Sequence, residues 1–271
     1  MRMYLSGLGG AQKFIIQWVV DNVPVPRALV SYAYLGQVDK LLEYDLKSLY
    51  LDSGAFTAYA SGIEIVHDDY IAWAKERKDL FEIITNLDVI GDWEGSVKNF
   101  DYARKKGLDV WPVYHFGEPV DVLHYYMSVT DEMCVGGIAS GTVNPDAIKR
   151  GLAWLFNLYP DMKLHVLGVN AVNALIQFPI FSCDALTWRS GSRFGDVFIK
   201  GRRHKVGRKF QFSSRSKEAI SVLQEAGLDV TDPDFDWNLL DCYNISILYQ
   251  MLEVDHDAMD FNEVVNTNFL F

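Results

Sequence analysis

The chain has 271 residues, is 49% hydrophobic and carries a net charge of −11; such a length and apolar content can bury the core of one α/β domain of barrel size. No apolar run is long enough to span a membrane, the N-terminal one is too short for a secretory leader, and Cys134, Cys183 and Cys242 lie far apart, with no Cys-x-x-Cys pair for zinc. These features predict a cytoplasmic protein with reduced thiols and no membrane partner, and the acidic balance argues against indiscriminate nucleic-acid binding.

Strand-like apolar runs fall at residues 3–6, 28–32, 48–52, 81–87, 110–115, 133–138, 163–168 and 180–186. Most lack period-two alternation, as expected of parallel strands covered on both faces. The Gly7-Leu8-Gly9-Gly10 run after the first strand lacks the spacing and the Lys-Ser/Thr of a phosphate loop. Asp68 and Asp69 open a helix over 70–78, with acids in its first turn and bases in its last. Asp92 caps a helix carrying Trp93, Val97 and Phe100, and Asn144-Pro145 starts one with Ile148, Leu152 and Leu155 as its inward stripe. Strands with a crossover after each predict a (β/α)₈ barrel of the TIM type over about residues 1–195, with a doubly wound open sheet as the competing architecture. Beyond it, a basic loop at 197–212 leads to a helix at 216–226, an acidic turn and a long helix at 237–253. An acidic, then aromatic tail over 255–271 completes a C-terminal extension of the same single domain, about 196–271.

Two strands end on a carboxylate. Residues 48–52 stop at Asp52, followed by Ser53-Gly54-Ala55-Phe56, and residues 180–186 contain Asp184. A carboxylate delivered to the rim of a sheet suits nucleophilic or acid–base chemistry, while the plainer alternative is a cap for the next helix. His165, alternating with apolar residues, reads as a hydrogen-bonded core histidine. Downstream of Asp184 come Arg189, Arg193, Lys200, Arg202, Arg203, Lys205, Arg208 and Lys209 against a single acid, Asp196. This cluster is either a solvated loop or a phosphate-binding rim.

Taken together, these stretches resemble the tRNA-guanine transglycosylase superfamily. Asp52-Ser53-Gly54-Ala55-Phe56 is similar to its Asp-Ser-Gly-Gly-aromatic motif, and Val135-Gly136-Gly137-Ile138-Ala139-Ser140-Gly141 to its Val-Gly-Gly-Leu-Ala-Val-Gly stretch. His165-Val166-Leu167-Gly168-Val169 resembles its Leu-Met-Gly-Val segment. Ser182-Cys183-Asp184-Ala185-Leu186-Thr187-Trp188-Arg189-Ser190-Gly191 resembles the stretch that carries its nucleophile. The likeness runs over about residues 50–195 in the family's order; Tyr243-Asn244 resembles the last helix more loosely.

The resemblance implies a covalent base exchange. Asp184 is expected to attack the anomeric carbon of a guanosine in a nucleic acid and expel guanine. A free 7-deazaguanine base then loses a proton to Asp52 and displaces Asp184 with net retention. Asp88 is expected to accept from the aminopyrimidine edge of the base, Gly136 and Gly137 to offer backbone N–H groups to its O6, and Phe56 and Leu167 to sandwich it. Ser53 is a further hydrogen-bonding partner, and Arg189 is expected to favour the Asp184 anion. Two departures stand out: His115 occupies the place of the family's glutamine, and the Cys-x-Cys-x-x-Cys zinc run is absent, so neither a zinc subdomain nor a cofactor is expected. The missing zinc module and RNA-binding domain shift the expected polymer from tRNA to DNA, as in relatives of phages and bacterial DNA-modification systems that insert bases such as 7-cyano-7-deazaguanine. Competing readings are a tRNA-directed enzyme of the same chemistry and a retaining nucleoside or glycoside hydrolase using the same carboxylates. A silent binding subunit would be expected to have lost one of them.

Overall fold

A computed structural model describes residues 1–137, 144–168, 172–199, 202–207 and 215–253. The first strand, β1 (Arg2–Ser6), is followed by α1 (Lys13–Asn22), β2 (Arg27–Ser31), α2 (Gly36–Leu41), β3 (Ser48–Asp52), α3 (Ala55–Ser61) and α4 (His67–Glu76). Then come β4 (Phe81–Ile84), α5 (Trp93–Lys105), β5 (Val113–His115), α6 (Val120–Val129), β6 (Glu132–Gly136) and α7 (Pro145–Leu158). The series continues with β7 (Lys163–Val166), α8 (Val172–Leu175), β8 (Ser182–Ala185) and α9 (Ser190–Phe194). A hairpin of β9 (Asp196–Ile199) and β10 (Arg202–Lys205) precedes the last helices, α10 (Lys217–Glu225) and α11 (Leu239–Leu252). Among the described residues, no helix is long and apolar enough to cross a membrane.

Strands β1 to β8 form one parallel sheet in the order β4-β3-β2-β1-β8-β7-β6-β5. Its two end strands are consecutive in the chain, and the sheet curls until they meet. Thr85 and Trp111 form a parallel bridge, with Trp111 N–H donating to the Ile84 carbonyl at 2.8 Å and Asn86 N–H to the Trp111 carbonyl at 2.9 Å. All eight expected strands are present. The helices begin where their caps are written: Asp92 accepts from Gly95 N–H, Asn144 from Asp146 N–H and Ser216 from Ala219 N–H.

Alternation along each strand separates two cores. On the convex side, Met3 and Leu5, Ala28 and Val30, Leu49 and Leu51, Met133 and Val135, Leu164 and Val166, and Cys183 and Ala185 pack under the helices. On the concave side, Tyr4, Leu29, Tyr50, Ile83, Val113 and Cys134 form a smaller interior cluster, with His165 stacked on Tyr50 at 4.4 Å between ring centroids. A third cluster, built around Val197, Ile199, Leu223 and Leu240, holds the hairpin to α10 and α11.

One expected element is corrected here. The basic stretch after Asp184 is not all loop, since β9 and β10 pair antiparallel, with Arg203 opposite Phe198 and Lys205 opposite Asp196. Asp196 turns its carboxylate to Arg203, 2.5 Å away, so the lone acid neutralises one of the cations. Lys200, Arg208 and Lys209, like the tail over 255–271, lie outside the described residues.

Candidate active site

One step of two residues beyond the interior cluster reaches the C-terminal rim on the same face. From Tyr4, Leu29, Tyr50 and Ile83 that step gives Ser6, Ser31, Asp52 and Thr85; from Val113, Cys134, His165 and Ser182 it gives His115, Gly136, Leu167 and Asp184. Five of the residues expected from sequence thus share one ring for a geometric reason. Functional groups at the C-terminal ends of parallel strands are the usual arrangement in α/β enzymes.

Asp184 sits in a cradle of donors. Ser6 Oγ–H donates to its Oδ2, Gly168 N–H donates to its Oδ1 at 2.6 Å, and His165 Nε2 lies 3.5 Å from the same oxygen. His165 is fully buried, and its Nδ1 is 2.7 Å from Ser182 Oγ. Its Nε2 lies beside the carboxylate without hydrogen-bonding it. His165 is therefore both the core histidine that alternation suggests and a neighbour of the carboxylate. The expected Arg189 contact is not made: its guanidinium faces the Gly10 carbonyl at 3.5 Å and the Trp188 ring. The groups that donate to this carboxylate are a hydroxyl and a backbone amide, not the arginine.

Asp52 is surrounded differently. It accepts from Gly54 N–H at 2.9 Å and from Ser31, yet burial, then repulsion from Asp88, then repulsion from Asp184 push its carboxyl up to about 7. Its turn requires glycine: Gly54 has φ +83, and a Cβ there would stand 2.9 Å from Ser31 Oγ and 3.0 Å from the Ala33 backbone nitrogen. The turn then starts α3, where Ala55 is buried but Phe56 is 72% exposed. Ser53 is fully buried and hydrogen-bonds Asp88.

Asp88 follows β4 in a segment tied to α5. Asn86 donates to the Ser96 carbonyl at 3.0 Å, Asn99 to the Leu87 carbonyl at 2.8 Å, and Val89 N–H to Ser96 Oγ at 2.9 Å. The Asp88 carboxyl is raised above the ordinary range by burial, partly offset by His115, whose Nε2 is 3.5 Å away. Gly136 leaves room for that imidazole, because a Cβ there would lie 2.7 Å from His115 Cδ2 and Nε2. Gly137 follows at the same rim, and Leu167 is half-buried against the interior cluster.

The basic residues stand apart from this ring. Arg193 on α9 and Arg202, Arg203 and Lys205 on β10 are exposed. Their segment is fixed by α11, on which buried Asn244 donates to the Trp188 carbonyl at 3.3 Å and to the Asp196 carbonyl at 3.0 Å. Buried Asp241 accepts from the Ser192 backbone and hydroxyl at 2.8 and 2.6 Å. The three cysteines are all buried, and no group of three or more His, Cys, Asp and Glu residues among the described ones could hold a metal. The zinc site of the resembled superfamily therefore does not fit the residues present. No family model and no curated protein matches the chain.

Sequence reasoning missed Ser6, Ser31, Glu118 and the Gly168 amide as partners of the carboxylates and His115. For Ser6 and Ser31 a signal existed: each ends an apolar strand two residues past an interior position. Glu118 and the Gly168 amide left none, because their roles depend on turns following β5 and β7.

Proposed function

We propose that this chain is a nucleic-acid guanine transglycosylase that exchanges guanine in DNA for a 7-deazaguanine base. On this reading the curled sheet is a (β/α)₈ barrel, and the C-terminal rim is its catalytic face. One observation carries the proposal: two strand-end carboxylates share the rim, one cradled by donors and the other with its proton poised near neutrality.

The chemistry follows from that contrast. An Asp184 oxygen attacks C1′ of a guanosine, forming a C–O bond as the C1′–N9 bond breaks and its electron pair leaves with guanine. Protonated Asp52 supplies the proton that the departing base takes up. The entering base returns a proton from its N9 to Asp52, bonds to C1′ through N9, and releases Asp184 as a carboxylate. Two inversions give net retention. An acid with a pKa of about 7 is populated in both forms at neutral pH and serves both half-reactions. The Ser6 and Gly168 donors stabilise the carboxylate that reappears in the second half. Asp88 offers its acceptor oxygens to the N1–H and exocyclic amine of a guanine-type base, beside the Gly136 and Gly137 backbone, with Phe56 and Leu167 for its faces.

A guanine inside a duplex is out of reach of Asp184, so the target is extruded or already single-stranded, at a cost of a few kcal/mol. Exposed Arg193, Arg202 and Lys205, directly downstream of the nucleophile, suit a phosphate backbone that offsets this cost. Incubating the protein with labelled guanine and, separately, single-stranded DNA, duplex DNA and tRNA tests the reading. Label is expected in DNA. Label in tRNA alone would reassign the polymer, and release of guanine without incorporation would indicate hydrolysis instead of exchange.

A further inference from the structure

The acid following β5 has no part in the steps above, yet it is built tightly around His115. Glu118 N–H donates to the His115 carbonyl at 3.1 Å, closing a turn. Within that turn the Glu118 carboxylate receives the His115 backbone N–H at Oε2, 3.1 Å, and stands 3.2 Å from His115 Nδ1 at Oε1. Tyr114 Oη–H fixes the Glu118 carbonyl at 2.9 Å. The Glu118 side chain is only 13% exposed. On the other side of the ring, His115 Nε2 is 3.5 Å from Asp88 Oδ2.

A carboxylate faces each ring nitrogen, so each nitrogen is best satisfied as a donor, and only the imidazolium donates from both. We propose that Glu118 is a positioning residue that holds His115 as an imidazolium beside Asp88, so that the pair presents a donor and an acceptor side by side to the C6-oxo, N1–H edge of a 6-oxopurine. The inference rests on the proposed base exchange and specifies how its base pocket selects. A 6-aminopurine presents the reversed edge and meets a donor with its amine and an acceptor with its bare N1. Because Glu118 retains the proton on Nδ1, deprotonation occurs at Nε2 and turns that atom from donor to acceptor. Recognition is then lost as pH rises.

The direction of titration agrees with the geometry. Burial lowers the His115 pKa, but the hydrogen bond to Glu118 and the charges of Asp88 and Glu118 outweigh it, and the net shift is upward. The other titratable groups near this cluster are Tyr114 and Tyr126, raised by burial and then by the Glu118 charge, Tyr70 and Cys134, raised by burial first and also by Asp88, and Asp52, which titrates near 7.

The test is calorimetric binding of guanine from pH 6 to 8.5 to the full chain, in an Asp52→Asn background that removes the other titration in this window, with adenine as the rejected base. The dissociation constant for guanine is expected to rise about tenfold per pH unit above the His115 midpoint. Glu118→Gln, close to isosteric, should move that midpoint down by about one unit. ¹⁵N NMR of the His115 ring should show the same downward shift without any ligand. If guanine binds with a pH-independent constant, or Glu118→Gln leaves both midpoints in place, this inference fails while base exchange stands. If the parent protein binds neither guanine nor 7-deazaguanine at any pH, the base pocket itself is wrong and both readings fall.

Discussion

The ends of β8 and β3 carry the same side chain in the same kind of position, and they differ in what surrounds it. Asp184 accepts from a hydroxyl and a backbone amide with an imidazole nitrogen 3.5 Å away, whereas Asp52 also accepts from an amide and a hydroxyl but is raised by burial and by the charges of two other carboxylates. Position along a parallel strand brings a carboxylate to the rim, and its neighbours two residues past the interior layer decide what it does there. Identical residues acquire opposite chemical roles when their environments push them apart.

The sharpest way to break this comparison is to remove the proposed nucleophile. Asp184→Asn should lower exchange of labelled guanine by several orders of magnitude and abolish any covalent adduct seen by mass spectrometry of the quenched protein. Near-normal exchange by that variant would return Asp184 to a structural role.

Asp52→Asn should reduce turnover by about 10²–10⁴-fold, the usual contribution of a positioned acid–base group. It should also stabilise the fold in alkali. The folded-state pKa is raised from 3.8 to about 7, so the stability linked to that proton is present at low pH and lost as pH rises through 7. The variant should therefore unfold at a higher temperature than the parent at pH 8.5, with the gain fading toward pH 4. A gain at pH 4 and none at pH 8.5 would reverse the assigned environment.

Asp88→Ala should weaken guanine binding by about 1–3 kcal/mol for each donor of the base left unpaired, read as a higher KM for the free base. The same change removes the second-largest cause of the raised Asp52 pKa, so the acid limb of the pH–rate profile should move to lower pH. An unmoved limb would separate the two aspartates. His165→Phe keeps the ring packing on Tyr50 but removes the polar Nε2 3.5 Å from Asp184, and should cost about tenfold in kcat with KM little changed. The smallest effect is expected from replacing Arg202, Arg203 and Lys205 together. The slope of log affinity for DNA against log salt should flatten, with Arg203, which faces Asp196, contributing part of the change.

Much of the fold was legible in the chain, and so were the carboxylates. Apolar runs of four to seven residues broken by capping residues placed the eight strands of the sheet, and Asp92, Asn144 and Ser216 marked helix starts that the structure keeps. The hairpin after α9 was not legible, because strand β10 reads Arg-Arg-His-Lys and has no apolar face of its own. Its pairing depends on β9 and on Asn244, a residue over forty positions away that accepts from Phe198 N–H. The expected Arg189–Asp184 contact failed for a related reason. Four residues separate them in sequence, but a short helical turn at Thr187–Arg189 rotates the guanidinium toward Gly10.

Helix α11 also closes the far end of the molecule. Tyr249 Oη lies within 3.4 Å of the Arg27 amide and 3.1 Å of the Val25 carbonyl, while Glu253 accepts from the Met3 amide at 3.0 Å and from the Arg27 guanidinium at 2.6 Å. The first two strands thus wait for partners that are synthesised 226 to 250 residues later. A ribosome delivers the chain from its N-terminus, so β1 and β2 emerge with these bonds unmade and β1 still lacks its neighbour β8. Such long sequence separations make folding slow and delay ordering of the first strand until β8 and α11 have emerged. The rim depends on that strand, because Ser6 belongs to it. A nascent chain therefore carries Asp52 long before it has a finished Asp184 cradle, and the rim stays incomplete until α11 is in place.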